Sequence, residues 1–183
     1  MDILRLKVKR FLVKNFEGRV LDSAMQHPLL ADIRAQAAAI AAHYDEREYG
    51  KAIREVMACA DKVNAYVDQE KPWELAKNPD KQAELQTACS ICLEAFRLLT
   101  LYLKPVLPVL AGNAENILGV APMTWADVNT PLSSATPVQA FKHLMQRVDQ
   151  KQIDALIDAN KQSLAPTSAS PVKTDAKKSA TSV

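Results

Sequence analysis

Two apolar seams of identical spacing constrain the fold of this chain more than any other feature. In each seam apolar residues recur at intervals of 4, 3, 4, 3 and 4, which keeps them on one face of an α-helix. The first seam is Tyr49, Ile53, Val56, Ala60, Val63 and Val67, and the second is Leu85, Cys89, Cys92, Phe96, Leu99 and Leu103. Pro72 ends the first run, because proline disfavours helical backbone in the residue before it. The sequence therefore predicts two long helices packed antiparallel.

The region before the first seam predicts two further helices. Residues 2–16 favour a helix that ends near Gly18, although the alternation between residues 4 and 8 leaves a strand possible. Pro28 is typical of a helix start, and one apolar stripe continues from it as far as Tyr44. Only four residues of the whole chain are glycine, which also favours helices over sheets.

The region after the second seam predicts three more helices. Pro105 ends the second long helix and can occupy the first turn of the next one, which ends near Gly119. Apolar residues within 141–148 and 153–157 indicate a last pair of helices. Together these patterns predict an all-α fold, an antiparallel helical bundle.

The last twenty residues differ from the rest in composition. They consist mostly of alanine, serine, threonine, proline and lysine, which cannot bury enough apolar surface to offset the entropy lost on ordering. We therefore predict one helical domain over residues 1–163 and a disordered tail or linker over residues 164–183. The tail accounts for the formal net charge of +2, so the body is neutral. A neutral body lacks the basic surface typical of nucleic-acid binders, and such a function needs local evidence.

Several classes of function are disfavoured by what the sequence lacks. The first residues carry no long apolar run like that of a signal peptide, and no stretch of about 18 apolar residues could cross a membrane. Three cysteines in a chain of this length fit a reducing compartment. We predict a cytoplasmic protein with no membrane partner. No glycine-rich phosphate loop and no nucleophile elbow are present, so we predict no catalytic residue and no cofactor.

Cys89 and Cys92 have the spacing of a metal or redox motif. A structural zinc site needs four ligands, but the chain has no second pair of this kind and its histidines are scattered. Both cysteines also fall on the second apolar seam. We interpret them as small core residues and predict no metal site.

Three residues near the end of the first long helix are candidates for a binding site. Asn64 and Asp68 lie four residues apart and outside the apolar seam, so they share a polar face. Trp73 follows directly after Pro72. Amide and carboxylate groups can bind unpaired base edges, and an indole can stack on a base. From spacing alone the alternative stays open that Trp73 packs into the core and the polar pair is merely solvated.

Sequence motifs in four segments resemble the anticodon-binding helical bundle of methionyl-tRNA synthetases. The most distinctive is Asn64-Ala-Tyr-Val-Asp68 followed by Pro72-Trp73, which continues a similar stretch from Arg47. Residues 96–108, with Phe-Arg-Leu-Leu and Tyr-Leu-Lys-Pro-Val-Leu-Pro, and residues 118–125 follow in the same order. The similarity runs from about residue 11 to residue 163.

The resemblance implies a helical bundle of the class I synthetase type whose ligand is the CAU anticodon loop of methionine and initiator tRNAs. It implies that Trp73 stacks on an anticodon base and that Asn64 and Asp68 lie near the loop. Arg147 matches a basic position on the same side. Lys7 stands where the family has an arginine, and it keeps the charge but loses the planar fork.

The sequence also departs from the family. The catalytic nucleotide-binding fold is absent, and Ile3 replaces a recognition asparagine. The leading hypothesis is a tRNA-binding module from a methionine–tRNA ligase, inactive on its own, without affinity for DNA. The alternative is a non-catalytic protein-interaction module derived from a synthetase that has lost RNA binding. Such a chain would dock a catalytic synthetase domain in trans through its last helix.

Overall fold

A computed structural model describes residues 7–135, residue 138 and residues 149–163, and its regular structure is helical. The α-helices are α1 (Lys7–Phe16), α2 (Pro28–Ala35), α3 (Ala37–Asp45), α4 (Tyr49–Glu70), α5 (Pro72–Leu75), α6 (Gln82–Leu103), α7 (Pro108–Leu118) and α8 (Gln150–Ser163). Short 3₁₀ turns lie at Asp22–Gln26, Pro79–Lys81 and Trp125–Asn129. Strands are absent from these ranges, which confirms the predicted all-α class. None of the described helices is both long and apolar enough to cross a membrane.

The chain divides into two compact units between Met145 and Gln146, and each is described by itself. The first contains α1 to α7 and the second contains α8. The helix predicted over residues 141–148 and the tail predicted from residue 164 lie outside the described residues. Within α8 the predicted apolar face is present, and Ile153, Leu156 and Ile157 are exposed.

The two apolar seams form α4 and α6, which pack along each other as predicted. Cys59 in α4 lies near Tyr102 at the end of α6, and Glu70 at the end of α4 lies near Cys92. The two helices therefore run antiparallel. From Val56 onward the first seam is buried, whereas Tyr49 and Ile53 at its start remain exposed. The seam of α4 is thus covered only over its last four members.

Helix α6 lies at the centre of the first unit. Every residue from 88 to 103 is buried, including four polar ones. A helix that is buried all round must be covered on every side, and α1, α2, α4, α5 and α7 supply that cover. The seam predicted one buried face of α6 and missed that the opposite face is buried as well.

Two helix boundaries differ from the sequence-based prediction. The stripe after Pro28 is divided between α2 and α3, because the backbone tightens at Gln36, whose N–H donates to the carbonyl of Ile33 at 3.2 Å. The helix expected to start at Pro105 begins instead at Pro108. The intervening residues form a turn in which the Leu107 N–H donates to the Leu103 carbonyl at 2.8 Å.

Two glycines end helices where the sequence placed the ends. Gly119 terminates α7 with a φ of 69°, and Gly18 follows α1 with a φ of 75°. At Gly18 a Cβ atom would also lie 2.7 Å from the carbonyl oxygen of Val138, while the Val138 N–H donates to the Gly18 carbonyl at 3.0 Å. Only glycine combines this backbone conformation with such a close approach.

Candidate functional site

The end of α4 forms a sharp corner that carries the candidate binding residues. Lys71 adopts a left-handed conformation (φ 46°, ψ 61°), and its N–H donates to the carbonyl of Val67 at 2.9 Å. The Lys71 carbonyl accepts from the N–H of Glu74 at 2.7 Å. Pro72 follows at the first position of α5, where its missing N–H costs nothing. We call Asn64, Asp68 and residues 71–73 the Trp73 corner.

Trp73 is partly exposed at this corner. Pro72 before it and Leu75 after it are buried, so they anchor the short helix, whereas 38% of Trp73 is exposed. None of the aromatic ring contacts in the described part of the chain involves this indole. A large aromatic ring that is partly exposed beside two buried anchoring residues is suited to stacking on a planar ligand.

Asn64 and Asp68 lie one helical turn apart on α4, about 6 Å along its axis. Their neighbours Val63 and Val67 are buried, whereas Asn64 is half-buried and Asp68 is exposed. Within the described residues neither side chain forms a hydrogen bond. Their polar atoms are therefore available to a ligand.

The remaining predicted site residues are described only in part. The backbone of Lys7 begins α1, while Arg147 and Ile3 lie outside the described residues. The structure thus places Asn64, Asp68 and Trp73 along one end of α4 and its following turn. The RNA-binding roles of Lys7 and Arg147 stay predictions.

The second tryptophan has the opposite environment. The ring centroid of Trp125 lies 5.5 Å from that of Tyr102 and 6.3 Å from that of Tyr44. Both tyrosines are held in turn, because Tyr102 donates to the Ile33 carbonyl at 3.0 Å and Tyr44 donates to the Tyr102 carbonyl at 2.8 Å. Burial raises the pKa of Tyr102. Trp125 is therefore part of the packing of the first unit.

A buried ionic network beside Trp125 was missed by the sequence analysis. Glu94 is fully buried and accepts from the Arg34 guanidinium at 2.9 Å and from Arg97 at 2.9 and 2.8 Å. It also accepts from the Leu132 N–H at 3.0 Å. Glu94 and Arg97 stand three residues apart inside an apolar helix, which is the only local signal of the network; the partners Arg34 and Leu132 are remote in sequence.

The network and a second ion pair hold the segment that follows α7. Arg97 donates to the carbonyls of Asp127 at 2.9 Å and Val128 at 3.3 Å. Lys104 pairs with Glu115, and Glu115 accepts from the Met123 N–H at 2.7 Å. Buried charges satisfied by several partners fix irregular backbone in place. These residues therefore stabilise the fold.

A cavity of about 240 Å³ opens beside Arg97, between Pro122 and Pro131. Among the residues that line the cavity, Arg97 supplies the one buried charged group, its guanidinium. All five N–H groups of that guanidinium already have acceptors, on Glu94, Met123, Asp127 and Val128. The cavity therefore offers no free charged donor to a ligand.

His43, Glu46 and Glu48 bring possible metal-ligating atoms within 4.8 Å of one another, which the sequence analysis did not foresee. Both ring nitrogens of His43 already have carboxylate partners, Glu48 at 3.2 Å and Glu55 at 3.0 Å. These contacts link the end of α3 to α4. The histidine therefore serves to tie the two helices together.

Cys89 and Cys92 occupy the interior, as predicted, and so does Cys59. Cys89 and Cys92 are both buried within α6, and Cys59 is buried in α4. Burial raises the pKa of Cys92 to about 12 and also raises that of Cys89. Such thiols remain protonated at neutral pH and behave as small apolar groups.

The fold matches part of a known synthetase structure. A crystal structure of the free form of Mycobacterium tuberculosis methionyl-tRNA synthetase superimposes with a TM-score of 0.71 at 24% identity, over 81% of this chain and 31% of that chain. The complex of that enzyme with methionyl-adenylate gives a TM-score of 0.68 at 25% identity, over 76% of this chain and 30% of that chain. The chain thus has the fold of a helical portion of such a protein.

The family follows from the sequence match. The model of the anticodon binding domain of methionyl tRNA ligase matches residues 20–158, and this chain belongs to that family.

Curated relatives are the methionine–tRNA ligases of Paraburkholderia xenovorans and Burkholderia ambifaria. The first is 56% identical over 167 residues, which are 91% of this chain and 24% of that protein. The second, from strain MC40-6, is 60% identical over 154 residues, which are 84% of this chain and 21% of that protein. The chain therefore spans about a quarter or less of the length of these relatives.

Proposed function

We propose that this chain is the tRNA-binding module of a methionine–tRNA ligase and that it recognises the CAU anticodon loop of methionine and initiator tRNAs. It performs this role in the cytoplasm as a step of protein biosynthesis, and it has no catalytic activity of its own. In this proposal one helical domain over residues 1–163 carries the function, and residues 164–183 are a disordered tail or linker. The exposure of Trp73 at a rigid corner is the observation that carries the proposal.

Trp73 supplies the stacking surface. An anticodon loop presents unpaired bases whose faces can be splayed onto an aromatic side chain. One such stack contributes about 1–3 kcal/mol to binding. Because Pro72 and Leu75 are buried on either side, the indole is held in place before the base arrives, and little ordering entropy is lost on binding.

Asn64 and Asp68 supply hydrogen bonds on the same end of α4. The Asn64 amide can both donate and accept, whereas the Asp68 carboxylate accepts only. A carboxylate suits the exocyclic amino group of cytosine or adenine, both of which occur in a CAU anticodon. In this proposal the two side chains contribute to the choice of base, while Trp73 contributes affinity.

Lys7 and Arg147 supply positive charge for the phosphate backbone. Their roles are carried over from the family likeness at each position. Ile3, at a position where the family has an asparagine, offers no hydrogen bond. We therefore expect the isolated chain to bind the loop more weakly than a relative with that asparagine.

A titration of the full chain against a CAU stem-loop tests the proposal. Fluorescence anisotropy should show saturable binding, and a stem-loop of identical stem with a changed anticodon should bind more weakly. Each lost base contact should reduce affinity by about 1–3 kcal/mol, or roughly five- to 150-fold. Equal affinity for both loops would contradict anticodon recognition.

The alternative role is a protein-interaction module that docks a catalytic synthetase domain in trans. It is favoured by one observation, the exposure of Ile153, Leu156 and Ile157 on α8. This alternative predicts no binding to either stem-loop. It also predicts a complex with a separately expressed catalytic domain that is lost when Leu156 is changed to Glu.

A further inference from the structure

Lys71 occupies a backbone position that rarely holds a lysine. Its φ of 46° ends α4 in the left-handed conformation, where glycine or asparagine is usual because a Cβ atom crowds the following carbonyl oxygen. The backbone of the Trp73 corner thus gains nothing from a long side chain at this residue. The left-handed backbone therefore does not account for the presence of a lysine here.

The charge of Lys71 is not neutralised by a neighbour. Lys71 is exposed, and across residues 7–135 and 149–163 its ammonium has no hydrogen bond or ion pair. Two nearby lysines differ in this respect: Lys77 contacts Glu74 at 3.0 Å, and Lys81 contacts Glu84 at 3.3 Å. Among these three, Lys71 is the one with a charge available to a ligand.

The segment around Trp73 carries a net negative charge, so a phosphate that binds there needs a nearby cation. Between residues 68 and 77 the chain carries three acidic and two basic side chains, a net charge of −1. A loop phosphate that approaches Trp73 is therefore repelled unless a cation meets it. Lys71 lies two residues from Trp73, so their Cα atoms are at most about 7 Å apart.

We propose that Lys71 binds the phosphate next to the base that stacks on Trp73. This inference rests on the proposed function and adds a residue to its site. The contact neutralises a phosphate and reads no base, so it strengthens binding of every loop alike. It also releases a counterion, which makes binding more sensitive to salt.

Salt-dependent titration of the full chain tests the contact. Lys71→Gln should weaken binding to the CAU stem-loop and to the changed loop by the same factor. It should also reduce the slope of log affinity against log salt by about 0.7–0.9. Lys71→Arg should restore both, because the charge returns. Lys77→Gln is the matched control, since it removes a lysine already paired with Glu74, and its slope should stay near that of the wild type.

Lys71→Gly separates the side chain from the backbone. Glycine suits the left-handed conformation, so this variant should melt at or above the wild-type temperature while binding as weakly as Lys71→Gln. An unchanged salt slope in Lys71→Gln, or equal changes in Lys71→Gln and Lys77→Gln, would overturn the phosphate contact. If Trp73→Ala still weakens binding in that case, the proposed function survives. Absence of any binding by the wild-type chain would overturn both.

Discussion

The two tryptophans of this chain show how one residue type serves two purposes. Trp125 packs against Tyr102 and Tyr44 beside the buried network of Glu94, whereas Trp73 stands on a turn with its indole partly open. Trp125 depends on partners remote in sequence. Trp73 depends on its immediate neighbours, Pro72 and Leu75. A side chain whose own neighbours fix it can be left open to a ligand without loosening the core.

The largest loss of stability should come from disrupting the buried ionic network around Glu94, which lies beside Trp125. Glu94→Ala leaves Arg34 and Arg97 without their common acceptor, and breaking such a buried pair costs about 3–5 kcal/mol. We expect a melting temperature lower by roughly 6–20 °C. Thermal unfolding followed by circular dichroism measures this. A melting temperature within two degrees of the wild type would show that the network contributes little.

A smaller loss of stability should follow from removing the packed indole itself. Trp125→Ala leaves a void against Tyr102 and Tyr44 and should cost about 3 kcal/mol, the lower end for tryptophan truncation, since Trp125 is only partly buried. Affinity for a CAU stem-loop, measured at a temperature where the variant is folded, should be unchanged. Weaker RNA binding by the folded variant would contradict the proposal that Trp125 stabilises the fold while Trp73 binds RNA.

The smallest effect on stability should come from Trp73→Ala. The indole of Trp73 is partly exposed and makes no ring contact in the described residues. The free energy of unfolding should therefore change by less than about 1 kcal/mol. Binding to the CAU stem-loop should weaken by about 1–3 kcal/mol. Trp73→Phe keeps an aromatic face and should retain much of the affinity. A large drop in melting temperature with unchanged affinity would instead assign Trp73 to the core.

How far the sequence predicted this structure depends on the distance between partners. Each of the two apolar seams lies within a single helix, α4 or α6. Local spacing was therefore enough to predict both helices and the burial of Cys89 and Cys92. The Trp73 corner was found in the same way, from Asn64, Asp68 and Pro72. Spacing alone could not predict the exposure of Trp73, because exposure depends on what the rest of the chain covers; the family resemblance implied it, and 38% of the residue is exposed.

The parts that escaped prediction depend on contacts across the fold. Arg34 meets Glu94 sixty residues away, and no local pattern marks that pair. The break at Gln36 and the start of α7 at Pro108 also escaped prediction, because the apolar spacing does not show where the backbone tightens into a turn. The roles of Lys7 and Arg147 stay predictions.

The complete burial of residues 88–103 has a consequence for how the first unit opens. A segment covered on all sides has no surface from which to fray, so its amide protons can reach water only when the helices around it separate. Those helices are held together chiefly through α6. Opening of this central helix and cooperative unfolding of the unit are therefore the same event.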